Sequence, residues 1–104
     1  MKLSKQEIQE LLRKVCWDIK IDKTRLYDLL HGDINKIGSI DRINLYTRLL
    51  TSYNWYLLLK IIPRKDIMIA LSDDVIKRIF PKDLKKQYLY ARKLLSETIV
   101  SNTE

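Results

Sequence analysis

Apolar residues in this chain recur at three- and four-residue intervals almost from its first position. Ile8, Leu11, Leu12 and Val15 share one helical face. Ser4-Lys5-Gln6-Glu7 ahead of them has the form of a capping box, with Ser4 accepting from the Glu7 amide and the Glu7 side chain reaching back. The spacing predicts a first helix from about Lys5 to Val15 or Cys16. Trp17 to Asp22 then alternates apolar and polar, but a lone short strand has no partner to pair with, so this stretch reads as an extended connection. Asp22 is the expected N-cap of a second helix, with Leu26, Leu29 and Leu30 inward and Gly32 as the left-handed stop after His31. Asp33 to Gly38 reads as the loop, and Ser39 as the cap of a third helix whose apolar positions are Ile43, Tyr46, Leu49, Leu50 and Tyr53.

Thr51-Ser52 breaks that helix before a fourth, capped by Asn54. From Trp55 to Ile62 the fourth is apolar on every side except at Lys60, the pattern of a helix that is buried or sits in an interface. Pro63 ends it. A short fifth helix follows from Arg64 to Leu71. Ser72 caps a sixth, whose inner face is Val75, Ile76, Ile79 and Phe80, with Asp73 and Asp74 in the first turn where the helix dipole favours acids. Phe80-Pro81 marks a boundary. The last helix is predicted from about Lys82 to Glu97, with Leu84, Tyr88, Ala91, Leu94 and Leu95 as its core stripe and Ser96 to Glu104 frayed. Every strong periodicity is helical, so the expectation is an all-α, single-domain bundle of five to seven short helices over residues 1–104, ordered over about 4–97.

Composition narrows the function. A length of 104 residues and a hydrophobic fraction of 46 % suit one domain with its own core. One cysteine and one histidine cannot furnish the usual zinc ligands, and no disulfide can close within the chain. The polar N-terminus has no signal-like apolar core, and the longest apolar run falls far short of a membrane span. A cytoplasmic, prokaryotic protein without membrane contact is the expectation, and no pattern sets its oligomeric state.

The charge is local. The chain carries a net +7, but Lys77 to Lys93 alone holds seven basic residues against the single acid Asp83, so +6 resides there and +1 in all the rest. On a helical wheel Lys82, Lys86 and Lys93 oppose Leu84 and Leu95, Lys85 and Arg92 flank them, and Leu89 and Tyr90 fall on the same outer half. Lysines near a helix N-terminus oppose its dipole at ~0.3–1 kcal/mol each, which an anionic partner would relieve. The bland alternative is a solvated lysine face.

Catalytic constellations are sparse. Trp17-Asp18 reads first as a core tryptophan anchoring the turn, with Asp18 bonded to nearby amides, and second as a binding element. Asp73-Asp74 is explained by capping, Cys16 as a small buried side chain, and His31 by its helix C-terminus. Tyr46, Tyr53, Trp55 and Tyr56 read first as core and, if exposed, as an interface. There is no glycine-rich phosphate loop, nucleophile elbow or cofactor motif. Arg64 to Phe80 has the outline of a helix-turn-helix, but its second helix would lead with two acids against phosphate.

At Trp17-Asp18-Ile19, followed by Asp22, the chain resembles a group of small uncharacterised bacterial proteins that open with an aromatic-Trp-Asp motif. Their middle helix pair corresponds here to Ile43 to Ile62. Their proline turn into a final apolar helix corresponds to Phe80-Pro81-Lys82-Asp83-Leu84 leading into Tyr88. The resemblance covers Val15 to Leu95. Such proteins look like upstream partners of nucleotidyltransferase-type toxins of abortive-infection systems, and the resemblance implies an antitoxin-like or accessory role.

These readings converge on recognition without catalysis, metal or cofactor. The expected partner is a protein with an acidic surface, met through Lys82, Lys85, Lys86, Leu89, Tyr90, Arg92 and Lys93, with Trp17, Asp18, Lys77 and Arg78 as a secondary set. The alternative is a small nucleic-acid-binding regulator that uses the same basic face.

Overall fold

The computed structural model describes residues 2–102, with side chains from 2 to 97. Among these residues the chain forms seven α-helices and one two-residue hairpin. The order is α1 (Lys5–Val15), α2 (Lys23–His31), β1 (Lys36–Ile37), β2 (Ile40–Asp41), α3 (Arg42–Ser52), α4 (Trp55–Ile61), a 3₁₀ turn (Arg64–Asp66), α5 (Ile67–Ala70), α6 (Asp73–Ile76) and α7 (Lys82–Asn102). The all-α expectation is met, with the hairpin as an addition.

Helix starts follow local chemistry. Ser4 and Glu7 form the reciprocal capping box of α1, Asp22 accepts from the Thr24 amide, and Asn54 accepts from the Leu57 amide. Gly32 ends α2 at φ +80°, and a Cβ there would also meet the Arg42 guanidinium at 3.0 Å.

Five expectations are corrected. Ser39 does not cap α3: Gly38 (φ +57°) and Ser39 instead turn a hairpin that seats Ile37 opposite Ile40, and Asp41 caps the helix in a box with Asn44. Ser72 precedes α6, but its hydroxyl makes no capping bond. The segment expected as one fifth helix is a 3₁₀ turn plus the single turn α5, because Asp66 turns inward to within 3.4 Å of Arg42. Phe80 lies outside the α6 face at 81 % exposure. The final helix runs on to Asn102, past the predicted end at Glu97, and residues 103–104 of the expected fray lie outside the described part.

One contiguous core joins Leu12, Leu26, Leu29 and Leu30 to Leu45, Tyr46, Leu49 and Leu50 of α3, then to Leu58, Ile61, Leu71, Val75 and Tyr88. Around it, helix C-terminal carbonyls without intrahelical donors are met by side chains from distant elements. Tyr46 and Arg42 both donate to the Leu30 carbonyl at the end of α2. Arg48 donates to the Val15 carbonyl at the end of α1, at 3.0 Å. The Tyr88 hydroxyl donates to the Leu50 carbonyl near the end of α3. Arg92 donates to the Leu71 carbonyl just past α5, at 3.3 Å. A guanidinium at a helix C-terminus also complements the dipole, so three of these arginines act as fasteners of the fold.

Candidate protein-docking surface

α7 turns Tyr88 into the core, where its ring meets Trp55 edge-on with centroids 6.3 Å apart. Burial pushes the Tyr88 phenol up to about 12. At about 100° per residue, the rest of α7 then divides into two flanks. Leu84, Ala91, Leu95, Gln87, Leu94 and Tyr90 lie on one, Arg92, Lys85, Leu89, Lys82, Lys93 and Lys86 on the other. The flanks meet on an outer ridge where Tyr90 stands between Lys86 and Lys93.

The apolar flank faces a groove of about 620 Å³, closed on the far side by Tyr53, Asn54 and Trp55. That wall is held in place. Tyr53 donates to the Leu11 carbonyl at 2.8 Å, Asn54 is occupied as the α4 cap, and Trp55 rests on Tyr88. Tyr90 leaves 63 % of its surface exposed, and Leu94 is also exposed. On α4 the apolar pattern continues outward: Tyr56 is 79 % exposed and Leu59 is exposed beside it. The helix that is apolar all round is therefore not a buried one; its outer face is exposed.

On the basic flank the side chains have different duties. Lys82, Lys86, Lys93, Lys77 and Arg78 are exposed, and Lys77 pairs with Asp74 at 3.3 Å. Lys85 is half-buried with its ammonium 3.4 Å from the Lys77 carbonyl, so it ties α7 to the chain after α6. Arg92 bonds Asp73 at 2.6 Å as well as the Leu71 carbonyl. Leu89 lies among the lysines, while Tyr90, grouped with them from sequence, belongs to the groove.

Trp17 corrects an expectation. It is 82 % exposed, not a core anchor. The Ile19 amide bonds back to the Cys16 carbonyl at 3.1 Å, making a turn that throws Trp17 outward and brings Ile19 and Ile21 onto the core. Asp18 takes both guanidinium nitrogens of Arg48, at 2.6 and 3.2 Å, and this pairing lowers its carboxyl from the usual range. The expected amide contact is present at the Asp18 backbone, and a long-range ion pair with Arg48 is added to it as the stronger cause. Trp17 is far from α7 in sequence and lines its own shallow cleft with Arg13, Lys14 and Lys20.

The remaining candidates are absorbed locally. Cys16 is buried, and burial raises its thiol pKa away from the reactive thiolate. The His31 ring packs 4.2 Å from that of Tyr27, with Nδ1 3.0 Å from the Tyr27 carbonyl. Asp73 and Asp74 are held by Arg92 and Lys77. Among the described residues no three metal-ligating side chains gather, and no helix is long and apolar enough to cross a membrane. α5 and α6 are single turns, too short to lay a recognition helix along a groove of DNA.

Tyr53 and Trp55 do pack against the core as expected, and sequence reasoning missed the groove because it did not foresee that their outer edges also wall it. The signal was present in α4, whose apolar positions exceed what one buried face accommodates. The chain matches no protein-family model, no curated protein and no solved structure at a significant level.

Proposed function

We propose that this chain is a non-catalytic, cytoplasmic protein-binding module whose partner presents an acidic surface to α7. The observation that carries the reading is the juxtaposition of an open apolar groove with a ridge of exposed lysines. An aromatic-lined hollow flanked by charge is the anatomy of a protein interface, and a basic rim selects an acidic counterpart. Following its resemblance to upstream partners of nucleotidyltransferase-type toxins, the role we assign is antitoxin-like or accessory.

A second reading, phosphate-backbone binding, draws support from the exposed Lys60, Arg64, Lys65, Lys77, Arg78 and Lys82. The apolar groove weighs against it, since phosphates offer nothing to fill one. Copurification from the native host with and without nuclease tests both. A protein complex that survives nuclease supports the first reading. Recovery of nucleic acid alone overturns it.

A further inference from the structure

We propose that the groove between α4 and α7 is the seat of an amphipathic helix of about three turns, acidic on its outer face, supplied by the partner. This deepens the binding-module reading and rests on it. Three observations lead there.

The first is shape. The α7 wall runs from Leu84 to Leu95, about 17 Å at 1.5 Å per residue, which is the length of roughly three helical turns. The facing wall of Tyr53 and Trp55 is fixed by its own bonds, so the hollow exists before anything enters it. A helix laid in such a groove inserts side chains spaced i, i+3, i+4 and i+7.

The second is the character of the rim. Tyr90 and Leu94 on one side, and Trp55 on the other, offer apolar surface, with Gln87 and Asn54 as the polar edge.

The third is charge. No acidic residue occurs between Asp41 and Asp66, the stretch that contains the α4 wall, while Lys60 is exposed on the outer side of α4. On the α7 ridge Lys86 and Lys93 are two turns apart, about 10 Å, matching carboxylates at i and i+7 of a bound helix. The described acids of α7 lie on either side of that pair: Asp83 in the first turn, on the groove flank, and Glu97 one turn beyond Lys93 on the ridge itself. The same ridge argues against a second copy of this chain. A two-fold interface through α7 would bring Lys86 and Lys93 of both copies together, in a molecule already at +7.

The test uses Trp17→Phe, which leaves Trp55 in the groove wall as the sole tryptophan. Its emission is followed during titration with a synthetic peptide of about 18 residues bearing a leucine face and a glutamate face. A scrambled peptide of the same composition, a leucine-lysine version and oligothymidylate are titrated in parallel. The expected result is a saturable blue shift with the acidic helix alone. Tyr90→Glu weakens it at least about tenfold. Lys86→Glu with Lys93→Glu also weakens it and lets the lysine version bind. All the substituted groove and ridge residues are exposed, and a thermal melt verifies the fold of each variant. An equal shift with the scrambled peptide or oligothymidylate overturns the proposal, as does a shift produced by raising the protein concentration alone. A natural partner, captured by copurification, that ignores Tyr90→Glu yet is lost on reversing Lys82 and Lys93 also overturns the groove while the binding-module reading stands. If the acidic helix binds as expected but the host yields only nucleic acid, the module reading fails and the groove's preference is retained as a property of the surface.

Discussion

α3 spans eleven residues and buries Leu45, Tyr46, Leu49 and Leu50. α7 spans twenty-one, and among its described side chains Tyr88 is the one that is buried. Both helices carry a stripe of leucine and tyrosine. α3 lies at the centre of the core and sends Arg42 and Arg48 out to the ends of α2 and α1. α7 lies across the outside and holds on through Tyr88, Leu84 and Leu95 packed on the core, with Arg92 and Lys85 as polar ties. The same residue types thus do different things. In α3 they are enclosed by neighbours on every side and supply stability. In α7 all of them but Leu89 line an open groove, and among these Tyr88 alone is buried.

The largest effect that would break this contrast is expected in α3. Leu49→Ala removes a fully buried side chain and should cost roughly 2–5 kcal/mol, read from urea or thermal unfolding. A cost below about 1 kcal/mol would show that α3 is not the centre of the core.

Tyr88→Phe tests the junction between the regions. It keeps the ring in place and removes the donor to the Leu50 carbonyl, so the expected loss is roughly 1–3 kcal/mol. It should also change the alkaline limb. The folded phenol sits near 12, above its ordinary 10. The protonated form is therefore the one the fold favours, with its contribution complete below about pH 10 and lost as pH climbs toward 12. Wild-type stability should fall over that window and the Phe variant should fall less.

Reversing Lys86 and Lys93 to Glu should leave unfolding within about 0.5 kcal/mol of wild type, while partner binding is lost. A collapse of the melt would make the lysine ridge part of the fold, and the distinction between α3 and α7 would fail.

The smallest effect is expected at Asp18. Arg48 lowers its carboxyl, so the pair contributes above the usual carboxylate range and is lost as pH falls below it. Asp18→Asn should make stability slightly less sensitive to acid. An unchanged acid titration would mean the pair is mere surface contact, consistent with its exposure.

Features that depend on three or four neighbouring residues were legible in the chain. Ser4 with Glu7, Asp22, Gly32 and Asn54 each act where local pattern puts them, because a cap satisfies amides or carbonyls one turn away. The hairpin at Gly38-Ser39 also had a local signal, a glycine-serine pair between isoleucines, yet only strand pairing moved the α3 cap from Ser39 to Asp41. The exposure of Trp17 was not legible. Its apolar character predicts burial, and only the turn at Cys16 turns it outward.

The sequence by itself determined that this is a helical protein with a +6 segment, Lys77 to Lys93, that runs into its final helix, since periodicity and charge are properties of the chain. The tertiary structure decided which of those residues are spoken for. Arg92 and Arg48 reach carbonyls 21 and 33 residues away, and no local pattern contains such a distance. Likewise the groove exists only where α7 meets the end of α3 and the start of α4. Burial and openness are relations between segments, and they arise when the chain has chosen how its helices pack.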